Sequence, residues 1–169
     1  MKIDQKYYRT IQPSTEPIVG ADQAKNETNF SVEIIDQTLL PHRFEMRKIQ
    51  NLDEMIAAIK TMQVRGAPLI GAAAAYGMAL ATQQNPSDDF LHHAATNLIQ
   101  SRPTAVNLSW AVERMLKLLS PLPKDERNHA AWQEAASICD EDVAINQAIG
   151  QHGFQLIQAM AAKKTRVLS

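Results

Sequence analysis

The sequence predicts an α+β fold in which a small antiparallel β-sheet precedes a bundle of five to six helices. Residues 31–36, SVEIID, are rich in β-branched side chains, and residues 44–49, FEMRKI, alternate apolar with polar side chains. Both features indicate short strands. After Asn51, apolar residues recur at the three- and four-residue spacing of amphipathic helices. A few strands followed by a run of helices is typical of the α+β class.

The first 30 residues are expected to form an arm or loop that precedes the domain. Residues 10–29, TIQPSTEPIVGADQAKNETN, mix Pro, Gly, Asn and Thr without any period, as irregular segments do. The two strands are joined by QTLLPH, whose proline suits a turn. The domain with its sheet and helices is expected to cover residues 31–163.

Two helix starts are predicted directly after the strands. Asn51 with Glu54 three residues later resembles a capping box, so the first helix is expected to begin there. Pro68 fits the first turn of a second helix, because its missing N–H would have no helical partner there. The alanine-rich run that follows, Ala67 to Ala81, suits close packing between helices because its side chains are small.

The third and fourth helices are predicted from capping residues and prolines. Ser87 is expected to cap a third helix that ends near Gln100, and Thr104 is expected to cap a fourth. Pro121 and Pro123 would end the fourth helix.

A long helix is expected over about 125–148. Gly150 and Gly153 are expected to loosen the turn that follows, and a shorter helix would then run to about Met160. The last residues, TRVLS, look like the start of a further strand.

Composition limits the classes of function. The chain has 169 residues, 45% of them hydrophobic, which suits one domain with a substantial core. The net charge of −1 argues against a nucleic-acid partner, because such surfaces are usually basic and clustered. One cysteine, Cys139, excludes a disulfide framework and a cysteine-rich metal site.

No membrane or export signal is apparent in the sequence. The N-terminus, MKIDQKYYRT, has no apolar h-region and is not expected to be a signal peptide. The most apolar run, residues 67–81, is shorter than a membrane span requires. We expect a cytoplasmic protein with no membrane partner.

The segment Arg65-Gly66-Ala67-Pro68 combines three features that suit an anion. A helix start offers backbone N–H groups and a partial positive charge. Glycine lets a ligand approach the backbone closely, and arginine adds a planar donor fork that is always charged. A phosphate or a sugar phosphate would fit this chemistry. The alternative interpretation is a turn between helices whose arginine is solvated.

A second segment, Ser101 to Asn107, repeats this order of arginine, proline and helix start. Arg102 and Arg65 would each precede a helix N-terminus, so the two arginines could converge on one anion. The alternative is an ordinary capped helix with an exposed arginine.

Other polar residues give weaker signals. His152 lies beside Gly153 and is interpreted as structural rather than as a ligand or base. Cys139 is interpreted as a small buried side chain rather than a nucleophile. The acidic cluster 140–142 would fan out around a helix as a solvated face. We therefore assign no catalytic residue and no metal ligand.

Five segments resemble the methylthioribose-1-phosphate isomerase family. They are IIDQTLLPH, VRGAPLIGAAAAYGMAL, SRPTAVNLSWAVERML, EDVAINQAIGQHG and RVLS, and together they cover roughly residues 32–169. The broader superfamily shares the fold and includes ribose-1,5-bisphosphate isomerases and regulatory subunits of the initiation factor 2B exchange complex. The RGAP and RPTAVNL motifs favour the isomerase branch.

The resemblance implies an aldose–ketose isomerase of methionine salvage that converts 5-methylthioribose 1-phosphate to 5-methylthioribulose 1-phosphate. It implies a dimer that uses no metal and no nucleotide cofactor. The implied fold has an N-terminal domain of a small sheet and helices, a larger Rossmann-like C-terminal domain, and substrate between them. Carried over residue by residue, it makes Arg65, Gly66 and Ala67 substrate-binding, with Arg102 as a second contact.

The chain departs from the family pattern at the catalytic positions. In the family, a catalytic cysteine follows almost directly after the segment that matches RVLS, and a catalytic aspartate lies further on. Neither position falls within residues 1–169, and Cys139 does not match the family cysteine. A positioned acid–base pair typically contributes about 10²–10⁴-fold to such a reaction. We therefore expect no appreciable turnover by residues 1–169 alone.

The same departure gives expectations about domains and partners. Residues 164–169 are expected to begin the Rossmann-like domain. The expected partners are a sugar-phosphate substrate, a second copy of the chain, and a separate C-terminal catalytic domain. Two alternatives remain, a ribose-1,5-bisphosphate isomerase-like enzyme and a non-catalytic regulatory module like the initiation factor 2B relatives. The presence of both Arg65 and Arg102 favours the enzyme lineage.

Overall fold

The computed structural model describes residues 2–3, 5–14 and 30–167. The strands in these residues are β1 (Lys2–Ile3), β2 (Lys6–Tyr7), β3 (Ile11–Pro13), β4 (Val32–Ile35) and β5 (Met46–Ile49). The helices are α1 (Leu52–Lys60), α2 (Ala67–Gln84), α3 (Asp88–Ser101), α4 (Val106–Leu119) and α5 (Lys124–Val167). The chain divides into two compact units, residues 1–138 and residues 139–169. The predicted α+β class, with a small antiparallel sheet before the helices, is confirmed.

The main sheet has the order β3-β4-β5 and is antiparallel throughout. Both strands predicted from the sequence are present as β4 and β5. The central strand β4 buries Val32, Ile34 and Ile35 completely, and Ile49 on β5 is buried beside Val32. This burial explains the β-branched composition of the segment, because β-branched side chains pack well on a pleated surface.

The prediction of an irregular arm over residues 1–30 is wrong in part. Strand β3 lies within the segment read as a loop, and β1 pairs with β2 in a second, two-stranded antiparallel sheet. Ile11 pairs with Ile34 and is buried. A strand this short has too few residues for a visible alternation, and its paired residues lie 19 to 23 positions away along the chain. Residues 15–29 of the predicted loop lie outside the described residues.

Helix α2 is the centre of the helical bundle. Its residues from Ile70 to Thr82 are all buried, so the helix is apolar on every side. A helix of this kind belongs in a core. The alanine run keeps the helix thin, which lets the neighbouring helices approach closely. A Cβ on Gly77, for example, would lie 2.9 Å from Leu98 Cδ2 of α3.

The predicted capping box at the start of α1 is present in a shifted form. Asn51 Oδ1 accepts a hydrogen bond from Glu54 N at 2.9 Å, as expected of an N-cap. The Glu54 carboxylate accepts from Gln50 N at 2.8 Å, one residue before the N-cap. The first interaction satisfies a backbone N–H that the helix itself leaves unpaired, and the second ties the preceding residue to the first turn of the helix.

The start of α4 differs from the prediction. Thr104 does not cap the helix: Ala105 is the N-cap residue, and its side chain makes no capping hydrogen bond. A turn closed by Ala105 N to Arg102 O at 3.0 Å occupies the position that Thr104 was expected to cap. Ser87 does occupy the predicted N-cap position of α3, but its side chain makes no capping hydrogen bond either.

Helix α5 is also longer than predicted. It continues through Gly150 and Gly153 and includes residues 165–167, which were expected to begin a strand. A glycine inside a helix costs only about 1 kcal/mol relative to alanine, which a long helix tolerates. Residues 168–169 lie outside the described residues.

A buried arginine joins three helices in the first unit. Arg127 of α5 is only 3% exposed. Its guanidinium donates to the carbonyl oxygens of Pro86, Ser120 and Leu122 and forms an ion pair with Asp88 at 2.7 Å. These contacts fix the start of α3 and the end of α4 against α5.

Candidate functional site

The Arg65-Gly66-Ala67 turn forms the start of helix α2. Gly66 is the N-cap residue and has φ +94°, a conformation that side-chain-bearing residues rarely adopt. A Cβ built on Gly66 would have no atom within 4 Å, so the space in front of the turn is open. Arg65, Gly66 and Ala67 are all exposed. The turn is therefore accessible to a ligand from solvent.

The Arg65 side chain is held at one edge only. Its Nε donates to Met62 O at 3.3 Å. Within the described residues, neither Nη group of Arg65 has a hydrogen bond or an ion pair. Four of the five N–H donors of an arginine belong to the Nη groups. The donor pair that suits a phosphate is thus available.

The Arg102 turn forms the connection between α3 and α4. Arg102 is the C-cap residue of α3, and its N donates to Ile99 O at 3.3 Å. Its own carbonyl accepts from Ala105 N, which closes the turn before α4. The residue is half-buried, and its guanidinium has no hydrogen bond or ion pair to the described part of the chain.

The starts of α2 and α4 are packed against each other. Gly71, the fifth residue of α2, faces the main chain of Asn107, the second residue of α4. A Cβ on Gly71 would lie 3.0 Å from Asn107 O. Each helix rises only about 1.5 Å per residue, so this contact lies within roughly two turns of both helix N-termini. The structure therefore brings together the two segments that the sequence singled out.

The starts of α2 and α4 differ in charge from the starts of α1, α3 and α5. The first turns of α1, α3 and α5 each carry two acidic residues, whereas those of α2 and α4 carry none. Neither α2 nor α4 has a side-chain cap. An acidic side chain at a helix start offsets the positive end of the helix dipole. That positive potential is left uncompensated at the two starts that follow Arg65 and Arg102.

The residues given weaker signals lie elsewhere. His152 is exposed on α5, and Cys139 is buried, as expected for a small side chain in a helical pattern. Asp142 accepts hydrogen bonds from Asn146 on the same helix. The described residues contain no group of three or more His, Cys, Asp or Glu side chains arranged to hold a metal ion. None of the helices in the described part of the chain is long and apolar enough to cross a membrane.

Three residues of this region were not selected from the sequence. Gly71 and Asn107 lie inside the quoted motifs, and Met62 precedes the first of them. A glycine inside a helical pattern is the one signal that could have indicated the Gly71 contact, because such a glycine often has a packing reason. Its partner, Asn107, lies on another helix and cannot be predicted from the local sequence pattern around Gly71.

The family of the chain follows from a match to a sequence model of the initiation factor 2 subunit family over residues 63–168. That range includes the Arg65 turn and the Arg102 turn. The chain belongs to the initiation factor 2 subunit family. Members of this family therefore provide the relevant comparisons for both turns.

Some relatives of the chain are named as enzymes. The chain is 51% identical over 167 residues to methylthioribose-1-phosphate isomerase of Methylobacterium nodulans, which covers 99% of this chain and 43% of that protein. The crystal structure of 5-methylthioribose 1-phosphate isomerase from Pyrococcus horikoshii matches with a TM-score of 0.72 and 39% identity, over 88% of this chain and 40% of that one. The chain thus spans about two fifths of the length of these two relatives.

A second solved structure carries a different name. The translation initiation factor eIF-2B subunit delta from A. fulgidus matches with a TM-score of 0.62 and 39% identity, over 66% of this chain and 35% of that one. The fold is therefore shared by relatives named as enzymes and by a relative named as a translation factor.

Proposed function

We propose that residues 1–169 form the phosphate-binding part of a methylthioribose-1-phosphate isomerase, with Arg65, Gly66, Ala67 and Arg102 contacting the substrate phosphate. The observation that carries the proposal is the packing of Gly71 against Asn107, which joins two acid-free helix starts that each follow an arginine. Two helix N-termini that are packed together and each preceded by an arginine favour a dianion such as a phosphate monoester.

The role proposed for this part of the molecule is binding and orientation. An aldose–ketose isomerisation moves a hydrogen between adjacent carbons, and the phosphate does not itself react. Binding energy from such a remote group can hold the sugar in a reactive geometry. A guanidinium offers hydrogen-bond donors and no acceptor, so the role proposed for Arg65 and Arg102 is to hold the phosphate and not to accept a proton. We expect residues 1–169 by themselves to bind the aldose phosphate without turning it over.

The exposed apolar surface of the second compact unit is evidence for a further partner in the complete enzyme. Large apolar side chains are exposed along residues 139–160 of α5, and they are Val143, Ile145, Ile149, Phe154, Leu156, Ile157 and Met160. Exposed apolar surface of this extent usually marks an interaction site. We propose that a C-terminal catalytic domain and a second copy of the chain complete the enzyme, as the greater length of the relatives suggests.

A non-catalytic binding module is the second candidate. The likeness to initiation factor eIF-2B subunit delta supports it, because that relative shares the fold at the same level of identity as the isomerase structure. Such a module would use the same turns to bind a sugar phosphate, or would bind a protein and no phosphate at all.

The test is a titration of the ¹⁵N-labelled chain with 5-methylthioribose 1-phosphate, followed through the amide signals of Gly66 and Ala67. Arg65→Gln and Arg102→Gln should each weaken binding by about tenfold or more, because each removes a charge-assisted hydrogen bond. Arg47→Gln is the matched control, since Arg47 is an exposed arginine on β5. Equal effects of all three substitutions would indicate non-specific attraction and would refute the proposal. Absence of any binding by the unmutated chain would favour the protein-binding candidate.

A further inference from the structure

The turn between α1 and α2 contains a left-handed residue that carries a side chain. Thr61 is the C-cap of α1, and Met62 N donates to Ile59 O at 3.2 Å, while Gln63 N donates to Ala58 O at 2.9 Å. These are the two hydrogen bonds of a Schellman motif, whose residue after the C-cap must be left-handed. Met62 occupies that position with φ +62°.

A methionine is an unusual choice for this position. Glycine adopts the left-handed conformation without a steric penalty, and a residue with a Cβ does not. Burial of the Met62 side chain does not explain the choice, because the residue is 42% exposed. A strained non-glycine conformation that persists points to a function of the conformation itself.

The carbonyl of the left-handed residue contacts the arginine of the proposed phosphate site. Met62 O accepts the hydrogen bond from Arg65 Nε at 3.3 Å. Because the guanidinium is planar, a hydrogen bond at Nε restrains the orientation of the whole group, and the edge formed by the two Nη groups remains available to a ligand. The segment is held on its other side too, because Gln37 N donates to Gln63 O at 2.9 Å and Val64 is fully buried. The arginine is thereby oriented before any ligand arrives.

We propose that Met62 is a positioning residue for phosphate binding: its left-handed backbone places the carbonyl that orients the Arg65 guanidinium beside Gly66. The proposal rests on the proposed function, since it assigns Met62 a role at the same site. Preorganisation of this kind raises affinity because the arginine loses less rotamer freedom on binding.

The experiment compares four substitutions at one position by their backbone preference. Met62→Gly and Met62→Asn suit the left-handed conformation, whereas Met62→Val and Met62→Ile resist it because they are β-branched. Inorganic phosphate is titrated into each ¹⁵N-labelled chain at constant ionic strength. The Arg65 Nε–H signal is recorded in the same spectra, because an anchored Nε–H exchanges slowly with water. A thermal melt of each variant ensures that titrations are made well below its transition.

The Gly and Asn variants should bind phosphate within about twofold of the unmutated chain and should keep the Arg65 Nε–H signal. The Val and Ile variants should lose that signal and bind phosphate roughly five- to tenfold more weakly, in line with the penalty for the left-handed conformation. A folded Val variant that binds phosphate normally would overturn the proposal. Equal weakening by Gly and Val would overturn it as well, because the side chain and not the backbone would then matter.

Arg65→Gln separates this inference from the function on which it rests. If Arg65→Gln weakens phosphate binding and Met62→Val does not, the positioning role is wrong and the phosphate site stands. If neither substitution changes phosphate binding, the proposed function fails.

Discussion

Gly71 of α2 lies against the backbone carbonyl of Asn107 in α4, and a Cβ on Gly71 would stand 3.0 Å from that oxygen. Glycine is required here by the neighbour and not by an unusual backbone angle, because Gly71 is an ordinary helical residue. The contact sets how closely the start of α2 approaches the start of α4. Any anion bridging the Arg65 turn and the Arg102 turn depends on that approach.

Gly71→Ala should therefore reduce both stability and phosphate binding. Alanine improves helix propensity by up to about 1 kcal/mol, but overpacking a close contact typically costs about 1–3 kcal/mol. The neighbour is main chain, so relief requires α4 to move, and we expect a net loss of about 1 kcal/mol. Urea unfolding measures the stability, and phosphate titration measures the site.

Gly77→Ala is the matched control for that prediction, because it makes the same change in the same helix. Its new Cβ would meet side-chain atoms of Leu98 and Met55 and no main chain, so relief does not require a neighbouring helix backbone to move. It should alter stability without weakening phosphate binding. Equal weakening of phosphate binding by both variants would contradict the role given to the Gly71 contact.

The parts of the fold that were predictable are those encoded by neighbours in sequence. Strand β4 and the Asn51 cap depend on residues within a few positions of each other. Strand β3 is stabilised by pairing with β4, from which a long segment of sequence separates it. Thr104 does not cap α4, because the hydrogen bond from Ala105 N to Arg102 O closes a turn at that position. For the same reason the two arginine motifs were visible singly, whereas the Gly71–Asn107 contact that joins their helices was not.

Replacement of Arg65 by lysine should behave as a loss and not as a conservative change. Arg65 holds Met62 O through Nε while its Nη groups remain available for an anion. A lysine ammonium is a point charge and lacks the planar fork of arginine. It therefore cannot bind Met62 O and an anion in the way that arginine can. We expect Arg65→Lys to weaken phosphate binding by about tenfold despite the retained charge. Phosphate affinity within about twofold of the unmutated chain would show that only charge matters at this position.

Replacing the N-cap residue by alanine should lower the free energy of unfolding at the start of α1 and leave it nearly unchanged at the start of α3. Asn51 accepts the hydrogen bond from Glu54 N, so Asn51→Ala should lower the free energy of unfolding by about 1 kcal/mol. Ser87 has no side-chain capping bond, so Ser87→Ala should change it by less than about 0.5 kcal/mol. Urea denaturation followed by circular dichroism compares the two variants. A loss at Ser87 as large as that at Asn51 would contradict the assigned caps.

Among the described residues of the first unit, Arg127 should be the charged residue whose loss lowers the free energy of unfolding most. Its guanidinium is buried, and removing it leaves the carbonyl oxygens of Pro86, Ser120 and Leu122 without this donor. Loss of one partner from a buried charged network typically costs about 3–5 kcal/mol. Because the paired Asp88 is 61% exposed and can be solvated, we expect Arg127→Met to cost somewhat less, about 2–4 kcal/mol.

Arg43→Met provides the comparison for Arg127→Met, since Arg43 is 66% exposed in its ion pair with Glu45. Exposed pairs contribute at most about 1 kcal/mol, because water screens both charges. Urea unfolding of the two variants at equal salt should therefore separate them by more than about 1 kcal/mol. Added salt should change the Arg43 effect more than the Arg127 effect, because buried charges are screened less. Equal losses in the two variants would mean that the Arg127 contacts do not hold α3, α4 and α5 together as described.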